Sequence, residues 1–166
     1  MGNLPQVLIM MGSDSDLPVM QETADILSKF GVPFEIRISS AHRSPVRTMA
    51  LAAEAAGRGI RVIIAGAGMA AHLAGVVAAK TTLPVIGVPM PGGALNGVDA
   101  LYSTVQMPGG IPVATMAIGR AGAKNAGLFA VQILALSEDR LAAALKEYRH
   151  EMDLDVAHKD AALQAS

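Results

Sequence analysis

Two loops of this 166-residue chain set hydroxyl, carboxylate, imidazole and guanidinium groups side by side. Gly12-Ser13-Asp14-Ser15-Asp16 offers hydroxyls and backbone N–H groups at the start of an expected helix, where the positive end of the helix dipole suits a phosphate or a ribose. Ser and Asp are equally the preferred capping residues, so a purely structural use stands beside the ligand-binding one. Two carboxylates beside a phosphate would repel it, and Asp16 is therefore expected to turn to sugar hydroxyls. Ser39-Ser40-Ala41-His42-Arg43-Ser44-Pro45 places an imidazole next to a guanidinium at a second helix start. Arg43 supplies a bidentate fork for phosphate, and the imidazole of His42 is of the type that shuttles protons near neutral pH.

A third loop, Gly66-Ala67-Gly68-Met69-Ala70-Ala71, has the form of the dinucleotide pattern G-x-G-x-x-A, but the acidic residue expected about 20 positions later is replaced by an apolar run, Val85 to Val88. Small residues that let a ligand approach the backbone account for it better. His72 follows as a further polar group, or as a buried structural histidine. His42 and His72 lack the spacing of a helical metal pair, no G-x-S-x-G elbow occurs, and the absence of cysteine removes thiolate nucleophiles and thiolate metal sites. No metal site is expected, and the ten methionines read as core filler.

Strands and helices alternate along the chain. Apolar runs at 6–11, 34–38, 62–65, 84–88 and 113–118 read as strands, and helices are expected after Pro18, from Pro45 to about Gly57, over 69–80, around Leu101 to Val105, over 121–136 and over 138–153 behind a Ser137 cap. Near-continuous apolar strands separated by helices imply an α/β class: an open parallel sheet in a three-layer α/β/α sandwich. Ligands of such sheets sit beyond the carboxyl ends of the strands, so the loops at 12–16, 39–44, 66–72 and 89–97 should share one rim. The length fits a single domain over 1–166, with a polar tail from about 154 that is expected to fray.

Thirteen basic and 14 acidic residues leave a formal charge of -1, which argues against a nucleic-acid partner. The charges are unevenly spread: the 58 residues from Val62 to Gly119 hold only Lys80 and Asp99. Val62 to Ala79 approaches membrane-spanning length, yet three glycines and His72 interrupt it, so a strand, a turn and a short buried helix are expected and a membrane is not. Lys80 and Asp99 read as residues at a helix end and a helix start, where their charges suit the dipole.

In order, Gly12-Ser13-Asp14-Ser15-Asp16, Ser40-Ala41-His42-Arg43-Ser44-Pro45, Ala65 to Leu73 (AGAGMAAHL) and Tyr102 to Pro108 (YSTVQMP) closely resemble the catalytic-subunit family of phosphoribosylaminoimidazole carboxylase, and within it the bacterial mutase class rather than the animal class that uses CO2 directly. The resemblance spans about residues 6–150. It implies a flavodoxin-like fold, a homo-octamer in the cytoplasm, and an isomerase of purine (IMP) biosynthesis. The reaction implied moves a carboxylate from nitrogen to carbon of an aminoimidazole ribonucleotide, a small-molecule substrate supplied by an ATP-dependent synthetase. By the same resemblance His42 is the general acid and base, Ser13 and Arg43 hold the phosphate, Asp16 faces the ribose, and Ser15, Ser40, Ala41, Gly68 and His72 line the substrate. A glycine commonly stands at Met69 and a proline at Ala74 in that pattern. An apolar wall from Ala67 to Ala71 would exclude water from released CO2. Two other classes rest on less: a nicotinamide-dependent oxidoreductase on the glycine loop alone, and a phosphoacceptor module, disfavoured because the third strand ends Ile64-Ala65-Gly66.

Overall fold

Five strands, β1 (Val7–Met11), β2 (Phe34–Ile38), β3 (Val62–Ala67), β4 (Val85–Pro89) and β5 (Ala114–Thr115), form one all-parallel sheet in the order β2-β1-β3-β4-β5. The computed structural model describes residues 4–165, in two compact units that meet between Val131 and Gln132. The sheet belongs wholly to the first unit. Its order is that of the doubly wound sheet with the chain reversal between the first and third strands.

Burial explains the composition of the strands. Every residue of β1 and β4 is buried, as parallel strands covered on both faces require. Leu8, Met10, Ile63, Ala65 and Val85 form one core cluster with Ala52 and Ala55, at the end of helix α2 (Pro45–Glu54), and with Leu73, Ala74 and Val77 of α3 (Leu73–Ala78). Gly87 admits helix α4 (Val98–Val105) on the same face: a Cβ there would stand 2.3 Å from Thr104 Cγ2. The opposite face is covered by α1 (Leu17–Lys29) and the start of α5 (Arg120–Ala135), which are joined where buried Thr23 donates to the Ala123 carbonyl at 2.7 Å. At the edge, β2 is only partly covered, and Glu35 pairs with Arg37 and Arg58. Burial works to raise the Glu35 carboxyl, but the two guanidinium groups outweigh it and hold it below the usual range.

Several bounds differ from those expected. The third-loop helix starts at Leu73 rather than Met69, because Met69 takes a left-handed conformation (φ 54°) that no helix contains. Helix α2 ends at Glu54 and a 3-10 turn, Ala56–Arg58, completes the segment. Strand β5 keeps only Ala114 and Thr115 of the expected 113–118. In the second unit, helix α6 (Asp139–Gln164) runs eleven residues past the expected end at Asp153, so the polar segment expected as a tail is helical through Gln164. Its Ala, Leu, Lys and Gln are strong helix formers, and Lys159 pairs with Asp155 one turn back. Ser137 is not its cap; the hydroxyl donates backward to the Leu134 carbonyl at 3.4 Å, and Glu138 takes the cap position. Residues 62–79 resolve into β3, a turn and α3, and among the described residues no helix is long and apolar enough to cross a membrane.

Candidate active site

The carboxyl ends of β1, β2, β3 and β4 surround a cavity of about 560 Å³, and all nine expected site residues line it: Ser13, Ser15, Asp16, Ser40, Ala41, His42, Arg43, Gly68 and His72. The four loops do share one rim, as the topology requires.

The first loop is held by its own side chains. Ser13 accepts from the Ser15 N–H and hydroxyl and donates to Asp14 Oδ1, while Asp16 Oδ2 accepts from the Ser13 N–H at 3.2 Å in a reciprocal capping box. Capping and cavity lining thus fall on the same residues. Partial burial pushes the Asp16 carboxyl above its ordinary value, aided by the neighbouring Asp14 and opposed by the Ser13 and Gly12 N–H groups and by Arg43.

The second loop closes on Ser44, which holds the N-cap position of α2 without capping it through its side chain. Its hydroxyl instead accepts from the Ser40 N–H at 3.1 Å and donates to the Ser40 carbonyl at 3.0 Å, making a tight 40–44 turn. Ser40 Oγ accepts from the Arg43 N–H at 3.1 Å, and buried Ser39 bonds Thr48 at 2.8 Å beneath it. The turn throws His42 and Arg43 outward. Arg43 Nη2 donates to the Gly12 carbonyl at 3.1 Å, tying the first two loops together across the end of β1, and Arg43 lines the same cavity as Ser13 and Ser15. His42 Nε2 meets His72 Nδ1 at 2.9 Å. His72 is therefore exposed on the cavity wall and is not the buried structural histidine that its apolar context allowed.

The glycines of the third loop serve packing. A Cβ on Gly66 would stand 2.6 Å from both Met20 Sδ and Met90 Cε, and one on Gly68 would stand 3.3 Å from Met90 Cβ. Gly66, within β3, thus makes room for the Met20 and Met90 side chains. Between these glycines and His72, Met69 holds its left-handed backbone at a cost of about 1 kcal/mol.

Met90, Pro91, Gly92 and Gly93 also line the cavity and were named in the sequence only as part of a rim loop. Arg47 was missed. It lines an adjoining cavity of about 460 Å³ that shares Gly12, Ser13, Ser40 and Arg43 with the first. The signal lay in its position, since Arg47 stands in the first turn of α2, directly behind the loop that carries Arg43.

A doubly wound α/β domain whose switch-point loops carry hydroxyls, an arginine fork and a histidine pair around one cavity is a flavodoxin-like domain. The chain belongs to the AIR carboxylase family, whose profile matches residues 6–155. It is 56% identical over 94% of its length to the N5-carboxyaminoimidazole ribonucleotide mutase of Thermotoga maritima, covering 90% of that protein. It is 53% identical over 98% of its length to the protein of the same name from Mycobacterium tuberculosis, covering 92% of it. Treponema denticola PurE has the same fold, with a TM-score of 0.85 and 31% identity over 95% of this chain and 97% of that one.

Proposed function

We propose that this protein converts N5-carboxyaminoimidazole ribonucleotide into 4-carboxy-5-aminoimidazole ribonucleotide, the isomerase step of purine biosynthesis, without metal, ATP or organic cofactor. The identity of more than half to curated mutases across nearly the whole chain carries this reading. The cavity supplies the chemistry. Arg43, with the Ser13 and Ser15 hydroxyls, takes the phosphate, Asp16 faces the ribose, and the base lies toward His42 with Ser40, Ala41, Gly68 and His72 around it. His42 donates a proton to the carbamate nitrogen as its N–C bond breaks and CO2 departs. The imidazole C4 then attacks CO2, and His42 takes the C4 proton to restore aromaticity, so no net proton is consumed.

His72 suits this cycle. In the tautomer where His42 donates through Nε2 and His72 accepts at Nδ1, His42 offers a lone pair on Nδ1 when neutral and an N–H there when protonated. It can thus alternate between base and acid without breaking its bond to His72.

The carbamate substrate is unstable, which requires an ATP-dependent synthetase close upstream, and both belong in the cytoplasm with the nucleotide pool. Self-association, which the family resemblance makes a homo-octamer, is supported by Leu95, Val98, Tyr102 and Val105, exposed apolar residues at helical spacing along α4 and its approach.

The test is direct. Purified protein mixed with the carbamate substrate should change its ultraviolet absorbance without ATP. Activity only with aminoimidazole ribonucleotide and bicarbonate moves the protein to the direct carboxylase class, and inertness in both overturns the reading.

A further inference from the structure

We infer that Arg47 is a second cation for the ligand's phosphate, acting from the adjoining cavity, and that it makes the site selective for a phosphorylated ligand over its riboside; this rests on the function proposed above. The two cavities have a common wall. Gly12, Ser13, Ser40 and Arg43 line both, and Ser13 and Arg43 are groups assigned above to the phosphate. A phosphate held at that wall borders the cavity of about 460 Å³ that Arg47 lines, and so comes under the charge of two guanidinium groups instead of one.

The donors around this cavity are unequally committed. Buried Ser39 bonds Thr48 at 2.8 Å, the Ser44 hydroxyl donates to the Ser40 carbonyl at 3.0 Å, and the Ser13 hydroxyl donates to Asp14 Oδ1 at 3.1 Å. Arg43 spends one N–H on the Gly12 carbonyl. Among the described residues the Arg47 side chain forms no ion pair and no hydrogen bond, so all five donors of its guanidinium stay available. Asp14, the one carboxylate in the lining, is taken up within its own loop by the Ser13 hydroxyl and the Ser15 N–H, both at 3.1 Å.

Helix energetics do not account for the residue either. Arg47 stands in the first turn of α2, where the dipole favours acidic side chains, and that turn contains none. With Arg43 it leaves the lining an excess of positive charge over Asp14, which suits a phosphate monoester carrying close to two negative charges at neutral pH. Arg47 does not line the cavity that holds His42 and His72, so its attraction falls equally on ground and transition states and belongs to KM rather than kcat.

The experiment uses the full chain in steady-state kinetics with the carbamate substrate, and in calorimetric titration with inorganic phosphate, with the product and with the product's riboside, which lacks the phosphate. Arg47→Ala should raise KM and weaken phosphate and product binding by at least about fivefold, with kcat within about twofold and riboside affinity unchanged. Arg47→Lys, which keeps the charge, should recover most of the loss. Lys80→Ala, which removes one positive charge outside both cavities, should change neither constant. Added salt should narrow the gap between wild type and Arg47→Ala. Unchanged KM and phosphate affinity in Arg47→Ala overturn the role of Arg47 and leave the mutase reading intact. An equal loss for the riboside would mean that the substitution acts through the fold of α2, and overturns it as well. A wild type inert toward the carbamate overturns the mutase reading, while the phosphate titration still decides whether Arg47 serves an anion.

Discussion

The Nε2 atom of His42 lies 2.9 Å from Nδ1 of His72, and the two rings meet edge to face at 87°. One nitrogen must donate and the other accept, so each ring constrains the tautomer and tilt of its neighbour. In the proposed cycle His72 is therefore a positioning residue for His42. His72→Ala is expected to lower kcat about tenfold with KM nearly unchanged. His72→Asn, whose side-chain oxygen can take the place of Nδ1, should recover most of the loss. A KM effect as large as the kcat effect would assign His72 to ligand binding instead.

His42 itself carries the proton in the proposed cycle. Among the described residues its ring bonds only to His72, whereas the loop is held by the Ser40 and Ser44 bonds, so replacing it leaves the turn intact. His42→Asn should abolish turnover while ligand affinity stays within about tenfold, since phosphate contacts are retained and proton transfer is lost. Calorimetric titration with the product, run beside the absorbance assay, separates the two. Near-normal turnover would remove His42 from its role.

Arg43 has two tasks that a lysine cannot combine: one guanidinium nitrogen holds the Gly12 carbonyl and, in the proposed function, the remaining N–H groups take the phosphate. Its contribution is to binding that is equal in ground and transition states. Arg43→Ala should therefore raise KM roughly 10- to 100-fold, the range of a charge-assisted hydrogen bond, with kcat within about threefold. Arg43→Lys should recover only part of this. The check is steady-state kinetics with inorganic phosphate as competitor, whose inhibition should weaken in step with KM.

The strands that position these residues were legible because β1, β3 and β4 are buried on both faces and so read as unbroken apolar runs. The shared rim followed from the alternation of strands and helices. The His42–His72 bond was not legible. The loops that carry these residues follow β2 and β3, which do not pair with each other but flank β1, and nothing in 30 residues of sequence separation says that both side chains lean inward across its end. Met69 escaped for a different reason: Met-Ala-Ala has good helix propensity, yet Met69 takes a left-handed turn and the helix starts only at Leu73. Tertiary contact overrides local preference there.

Asp16 supplies a pH dependence with a definite sign. Its carboxyl is raised above the ordinary 3.8, chiefly by burial, so the native state keeps this proton to higher pH than the unfolded chain does. Between those two values the native state binds more protons, and stability falls as pH rises through the window; the deficit then persists at neutral pH. Asp16→Asn removes the titration while an amide oxygen can still accept from the Ser13 N–H. Urea unfolding at about pH 3.5 and pH 7 should show the variant gaining on wild type at the higher pH. A stability difference independent of pH would show that the raised carboxyl is not felt in folding.

The sharpest steric constraint lies in the first turn of α5. An ideal Cβ on Gly122 would stand 1.6 Å from the Ala117 carbonyl oxygen and 2.6 Å from its carbon, so the obstacle is main chain rather than the end of a movable side chain. The same turn carries Ala123, whose carbonyl accepts the buried Thr23 hydroxyl at 2.7 Å, so any shift of α5 that made room for a methyl would also strain its attachment to α1. Gly122→Ala should cost more than about 3 kcal/mol, among the largest single-residue effects, and lower Tm by roughly 6–12 °C. Gly57→Ala, where a Cβ meets nothing within 4 Å, is the control and should leave Tm within about 2 °C. A small effect at Gly122 would mean that the chain around Ala117 yields easily, and the close approach would then be a convenience of packing rather than a requirement of the fold.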